Sequence, residues 1–175
     1  NPTNVCIYSC TFCAFARKRN DKDAYTRSID DVIAKIADES DITEVNLQGG
    51  LNPDLPLRYY TDLLTEIRNQ YANLHITAYS PVEVSFLARK GRTTYADILG
   101  KMRDAGLNML NCTAADILND KLRKKLSADK LRTGDWIDVI KTAHGMGIKT
   151  TATILFGHVE NEIHICEHIE IIRHI

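Results

Sequence analysis

Thr43-Glu44-Val45-Asn46-Leu47 runs directly into Gln48-Gly49-Gly50. A short segment closed by two glycines reads as a strand that ends in a turn. On its N-terminal side Ser28 is placed to cap a helix, with Asp31 three residues on. Ile29, Val32, Ile33 and Ile36 then recur at i, i+3, i+4 and i+7, one face of an amphipathic helix. On its C-terminal side Pro53 and Pro56 punctuate a turn. Tyr60, Leu63, Leu64, Ile67 and Tyr71 then make a second helical stripe.

The alternation continues outward. Leu74 to Tyr79 reads as a strand running into Ser80-Pro81, followed by helix in two pieces, Val82 to Lys90 and Thr94 to Asp104, with Gly106 as the stop. Leu107 to Leu110 reads as a short strand, and Ala114 to Leu126 is helical in composition. Thr133 is placed to cap a helix from Gly134 to Met146, ended by Gly147, and Lys149 to Phe156 reads as a further strand. Ile165, Ile169 and Ile172 close the chain at helical spacing. Strand then helix, repeated at a spacing of roughly 30 residues, predicts βαβ units, a parallel sheet and the α/β class. A doubly wound sheet and a (β/α) barrel both satisfy the pattern, and in both the chemistry belongs at the C-terminal ends of the strands.

At 175 residues the chain suits one domain with a sizeable core. Lys and Arg number 22 against 23 Asp and Glu, a net charge of -1, so no nucleic-acid or membrane partner is expected through bulk charge. No apolar run approaches the ~18 residues of a membrane span. Asn1-Pro2-Thr3-Asn4 has neither a basic n-region nor a long apolar h-region, so a cytoplasmic location is expected. Both ends read as cut, with Cys6 near the start and an apolar periodic run at Ile171-Ile172-Arg173-His174-Ile175.

Three of the five cysteines, Cys6, Cys10 and Cys13, fall within eight residues. An odd count so crowded is a poor disulfide framework and suits metal ligation in a reducing cell. C-x3-C-x2-C puts three thiolates on one loop, enough for three irons of a cubane cluster with the fourth left open to a chelating small molecule. Zinc is the rival reading, but a structural zinc site usually wants four ligands, and the next Cys or His is His75. Three unrelated core thiols are the third.

The motif Cys6-x3-Cys10-x-Phe12-Cys13 resembles the signature of radical S-adenosylmethionine (SAM) enzymes. Cys13-Ala14-Phe15, Gln48-Gly49-Gly50-Leu51-Asn52-Pro53, Ser80-Pro81-Val82-Glu83, Trp136, Ala143-His144 and Gly157-His158-Val159-Glu160 narrow the resemblance to one subgroup. It contains the tyrosine-handling subunit of deazaflavin (FO) synthase and two enzymes of the futalosine route to menaquinone. Cys112-Thr113-Ala114-Ala115-Asp116-Ile117-Leu118 is similar to the G-T-A-A-E-I-L of the first, rather than to the G-G-G-A-E-I of the others. Asn111-Cys112 stands where the family has Pro-Gly, and Asp116 where it has Glu.

The resemblance implies a [4Fe-4S] cluster on Cys6, Cys10 and Cys13, with SAM on the open iron. It implies Phe12 near the adenine, and Gly49 and Gly50 offering backbone carbonyls to the SAM amino group. Ser80, Thr113 and Asp116 are further SAM or substrate candidates, and Glu83 and His158 are catalytic candidates. Each has a plainer alternative: a turn for the glycines, a helix start for Glu83, Thr113 and Asp116, a satisfied structural imidazole for His158. His144 and Cys166 read as structural, and the pair His164 and His168 as a solvated helix face. SAM cleavage would yield a 5′-deoxyadenosyl radical that breaks L-tyrosine at Cα–Cβ and joins its 4-hydroxybenzyl group to 5-amino-6-(D-ribitylamino)uracil. A partner radical SAM subunit would close the deazaflavin ring. The menaquinone enzymes (aminofutalosine synthase or dehypoxanthine futalosine cyclase) and a non-catalytic metal-binding fragment are the alternatives. The implied architecture is a partial (β/α)6, TIM-barrel-like fold over 1–175, with about five strands present and truncated at both ends. Such a piece alone is expected to be poorly soluble and inactive.

Overall fold

A computed structural model describes residues 1–175. The order is α1 (Ile29–Ala37), β1 (Glu44–Leu47), α2 (Leu57–Gln70), β2 (His75–Ala78), α3 (Pro81–Gly91), α4 (Tyr95–Asp104), β3 (Met109–Leu110), α5 (Asp120–Leu126), α6 (Thr133–Gly145), β4 (Lys149–Thr150) and α7 (Glu162–Arg173). The four strands pair in sequence order, all parallel, with Leu47 opposite Ala78, Ala78 opposite Leu110, and Leu110 opposite Thr150. The sheet is open.

The cap expected at Ser28 is present, and side-chain caps at Ser80 and Thr94 start two further helices. Ser28 and Asp31 close a capping box at α1, Ser80 and Glu83 at α3, and Thr94 and Asp97 at α4, with Pro81 at the first turn of α3. Each box satisfies backbone N–H groups that have no partner inside the helix. The stripe of α2, Tyr60, Leu63, Leu64 and Ile67, is buried against the sheet residues Leu47, Ile76 and Ala78 in one core with Leu99, Met102 and Trp136. Each such side chain contributes about 1.5–3 kcal/mol.

Four local expectations give way. Residues 1–5 make only isolated bridges, Thr3 with Thr26 and Val5 with Arg17, so the sheet has four strands rather than about five. The helix expected from Ala114 begins only at Asp120, because Ala114 (φ 68°) and Asp116 (φ 49°) are left-handed and Asn119 takes the N-cap, accepting from Lys121 and Leu122. Thr133 is the first residue of α6 rather than its cap, its N–H held by Asp120 at 2.8 Å. The strand expected over Lys149 to Phe156 keeps ladder pairing only at Lys149–Thr150, because β3 offers two residues before its chain turns away. Two side-chain readings on α7 also reverse: Cys166 is exposed, and His168 is buried.

Candidate functional site

The cysteine loop lies across segments that follow the C-terminal ends of the strands. Its start is pinned by Cys6 N–H to the Arg17 carbonyl (2.9 Å) and Ile7 N–H to the Leu51 carbonyl (3.1 Å), just past the Gly49-Gly50 turn. Lys18 reaches over it, its Nζ donating to the carbonyls of Cys6, Ile7 and Tyr8 at 3.2–3.3 Å. Its far side docks on the end of α5. There the Thr11 N–H and hydroxyl both donate to the Leu126 carbonyl (2.9 and 3.1 Å), and Cys10 Sγ lies 3.0 Å from Ser127 Oγ. All five cysteines are free thiols. Burial pushes the Cys10 thiol up, with the Ser127 hydrogen bond opposing it. The three loop sulfurs are not gathered into a ready-made metal cage.

Gly49 and Gly50 are set by space. A Cβ on Gly50 would sit 2.2 Å from the Val5 carbonyl oxygen and 3.1 Å from Cys6 Cβ, and one on Gly49 would lie 3.3 Å from the Thr3 carbonyl oxygen. Neither glycine has a positive φ, so close approach of the cysteine loop is what excludes a side chain. Cys6 and Cys13 line a cavity of about 170 Å3 together with Gln48, Gly49 and Gly50.

Beneath that turn lies Glu83. Its Oε2 accepts the Ser80 N–H (2.7 Å) and hydroxyl (2.8 Å), and the residue is 4% exposed. Burial pushes its pKa to about 7, against the hydrogen bonds from Ser80 and the Gly49 backbone that favour the carboxylate. Glu83 and Ser80 thus form a helix start that also supports the glycine turn. Beside them the Tyr60 hydroxyl is buried with no partner.

A second group gathers around Phe12. Its ring stands 5.9 Å from that of His158, with Lys130 Nζ 5.4 Å from its centroid. Lys130 is paired with Asp116 at 2.7 Å, and Arg123 approaches the same carboxylate at 3.7 Å, all three side chains nearly buried. Arg123 also donates to the Leu131 carbonyl at 2.6 Å. The Asp116 carboxylate is therefore occupied by two cations of its own chain. The carboxylate of Glu160 is likewise taken by backbone N–H groups, its own first and then those of Gly157, His158 and Val159, which draw its pKa down to about 2. Thr113 makes no hydrogen bond to either group, and its N–H donates to the Asn111 side chain at 3.2 Å. His144 is bonded to Thr150 at 2.9 Å.

The Asn111-Cys112 departure is accommodated in the core. Cys112 is buried, its N–H donates to Thr151 Oγ1 at 2.9 Å, and burial pushes its thiol up to about 12. The positive φ angles fall two and four residues later, at Ala114 and Asp116, so the backbone at Cys112 does not require glycine.

Sequence reasoning missed Lys18, Ser127 and Lys130. Each meets the site through a fold-dependent contact: Ser127 lies 117 residues from Cys10, and Lys130 lies 14 from Asp116. The run of basic residues between Asp120 and Arg132 was the one sequence signal pointing there.

Among solved structures, the chain superposes on the cobalamin-dependent SAM radical enzyme OxsB with aqua-cobalamin and SAM bound. The TM-score is 0.64 at 11% identity, covering 97% of this chain and 25% of that one, which is a likeness of fold. An FO synthase of Nocardia farcinica is 40% identical over 99% of this chain and 20% of its own length. A 5-amino-6-(D-ribitylamino)uracil--L-tyrosine 4-hydroxyphenyl transferase of Methanopyrus kandleri is 40% identical over 99% of this chain and 47% of its own. The chain thus spans about half or less of the curated relatives it matches. The family model described as the radical SAM superfamily matches residues 1–172, and the chain belongs to that superfamily.

Proposed function

We propose that the protein is a radical SAM transferase. It would join the 4-hydroxybenzyl group of L-tyrosine to 5-amino-6-(D-ribitylamino)uracil in deazaflavin (FO) synthesis, and its open sheet would be part of a (β/α)6 barrel. The observation that carries the reading is the cysteine loop seated on Gly50, with Cys6 and Cys13 lining one cavity with Gly49. Relatives named for this transferase at 38–40% identity over 99% of the chain, together with Thr113-Ala114-Ala115, direct it to tyrosine and the aminouracil.

The residues fit a [4Fe-4S] cluster: three free thiols on one loop shaped by its own backbone contacts, and two glycines that let it lie close to the strand end. When bound, the cluster and SAM supply a 5′-deoxyadenosyl radical. The chain's own part is to hold, orient and exclude water. Cys6, Cys10 and Cys13 would be the ligands, and the Gly49-Gly50 turn would face the SAM amino group, fixed from below by Ser80 and Glu83. Phe12, His158 and Lys130 would wall the opposite side. Asp116 serves this reading as the anchor of Lys130 beneath Phe12. Free thiols throughout suit a reducing cytoplasm. No helix is long and apolar enough to cross a membrane. Ring closure would fall to a partner radical SAM subunit.

The test uses the full-length protein, reconstituted anaerobically with iron and sulfide and given SAM, dithionite, L-tyrosine and the ribityl-uracil. The expected result is a brown, oxygen-sensitive protein that forms 5′-deoxyadenosine and consumes tyrosine. A colourless protein holding one zinc overturns the reading. Untouched tyrosine with consumption of a futalosine derivative transfers the protein to the menaquinone enzymes.

A further inference from the structure

Arg17, Lys18 and Arg19 are three consecutive cations just after the cysteine loop. The outer two are neutralised: Arg17 pairs with Asp23 at 2.7 Å, and Arg19 pairs with Asp54. Lys18 is in no ion pair. Its ammonium donates instead to the carbonyls of Cys6, Ile7 and Tyr8 at 3.3, 3.2 and 3.2 Å. An ammonium has three N–H donors, and three successive carbonyls of the cysteine loop take them. The backbone brings it there. Val5 and Arg17 form a parallel bridge, with Arg17 N–H on the Asn4 carbonyl and Cys6 N–H on the Arg17 carbonyl, both at 2.9 Å. The next residue therefore starts beside Cys6. A turn fixes it: the Lys18 N–H donates to the Asp21 carboxylate at 2.6 Å, and the Asp21 N–H donates back to the Lys18 carbonyl at 3.0 Å. Lys18 is not among the residues lining the cavity between Cys6, Cys13 and the glycine turn, so its charge stands at the loop without filling that space.

We infer that Lys18 is a positioning residue that raises the reduction potential of the cluster held by Cys6, Cys10 and Cys13, an inference that rests on the cluster proposed above. In the reduction a low-potential one-electron donor loses one electron and the cluster gains it, and no covalent bond forms or breaks. The added negative charge falls on a site already ringed by three thiolates. A cation fixed on the backbone of the first ligand favours that reduced state over the oxidised one, because net charge and nearby charges set the potentials of such clusters. A cation tethered only by its own flexible stem would spread this effect over many positions. The three carbonyls hold Lys18 at one. Arg17 and Arg19 contribute less, since each is offset by its own carboxylate. Lys18 is exposed, so its effect weakens as salt shortens the range of the charge.

The test compares full-length wild type with Lys18→Met, which keeps the stem and removes the charge, and Lys18→Arg, which keeps the charge. Each is reconstituted anaerobically with iron and sulfide. Iron per chain and the thermal midpoint before reconstitution are measured first. The midpoint potential is then read from the paramagnetic signal of the reduced cluster in a dye-mediated redox titration, at low and at moderate salt. The expected result is a Lys18→Met protein that folds and binds iron, with a potential more negative by about 59 mV, a tenfold loss in the reduction equilibrium. Lys18→Arg should stay close to wild type, and the gap between wild type and Lys18→Met should narrow with salt. A role confined to bracing the loop would lower iron content or the thermal midpoint and leave the potential of the loaded fraction unchanged. That outcome overturns the inference, as does a Lys18→Arg protein shifted as far as Lys18→Met. A wild type that takes up no iron overturns the proposed cluster, and this inference with it.

Discussion

The Nδ1 of His168 accepts the Leu118 backbone N–H at 3.0 Å while its Nε2 faces the Thr153 carbonyl at 3.1 Å. One buried ring thus ties α7 to the loop before α5 and to the chain beyond β4. Because Nδ1 accepts, Nε2 carries the proton and the imidazole is neutral. Burial, the largest influence, holds its pKa below 6.5. The unfolded chain therefore takes up the proton first on acidification. The ring's contribution is complete above pH 6.5 and is lost as the pH falls through the depressed value. His168→Phe should cost about 1–3 kcal/mol at pH 8 and less at pH 5. Denaturation midpoints of the two proteins across that range check this, and parallel curves would sink it.

Gly50 gives the sharpest steric prediction. Its missing Cβ would lie 2.2 Å from a backbone oxygen that cannot rotate away, whereas at Gly49 the nearest atom is 3.3 Å distant. Gly50→Ala should push the Val5–Cys6 segment off the strand end, lower stability by about 2–4 kcal/mol, and reduce iron uptake on reconstitution. Gly49→Ala should do much less of each. Thermal midpoint and iron content per chain measure both, and equal behaviour of the two variants would remove the argument from space.

The contrast between these residues shows what the sequence made legible. The parallel order, the capping box at Ser28 and the cysteine loop followed from local spacing, because periodicity and caps are local physics. The segment from Ala114 to Asn119 has helical composition, but two left-handed residues redirect it, and what holds them is distant: Arg123 on the Ala114 carbonyl and Leu155 N–H on the Asp116 carbonyl. His168 was visible only as half of an i, i+4 pair with His164, and no helical pattern reports a bond to a residue 50 positions away. Lys130, 14 residues from Asp116, was hidden for the same reason. At the candidate site, the residue types were readable and their partners were not.

Asp116 tests whether the Phe12 wall rests on its ion pair. Its carboxylate faces Lys130 at 2.7 Å and Arg123 at 3.7 Å with side chains at most 9% exposed. Removing one member of a buried pair leaves the other uncompensated, so Asp116→Asn should cost about 3–5 kcal/mol. Adding Lys130→Met should return part of that loss, since Arg123 keeps its carbonyl partners. The four stabilities of the double-mutant cycle give the coupling directly. A double variant as unstable as the sum of the singles would mean that the two side chains act independently.

Glu83 carries the opposite pH sign from His168. Its folded-state pKa of about 7 lies above the ordinary 4.5, with burial as the main cause. The folded chain therefore holds this proton over a window in which the unfolded chain has released it. Stability falls as pH rises from about 4.5 to 7 and is level on either side. Below that window the protonated carboxyl sits in the core at little cost. Above it, a buried carboxylate is held only by Ser80 and the Gly49 backbone. Glu83→Gln keeps a carbonyl oxygen for the Ser80 N–H, so the capping box should survive while the titration disappears. The variant should match wild type or fall slightly below it at pH 5, and exceed it by about 1–3 kcal/mol at pH 8. Denaturation midpoints at the two pH values decide the matter. A wild type whose stability does not change across the window, or a Gln variant that follows the same slope, would show that Glu83 ionises as an ordinary surface carboxylate and is not the buried support of the glycine turn.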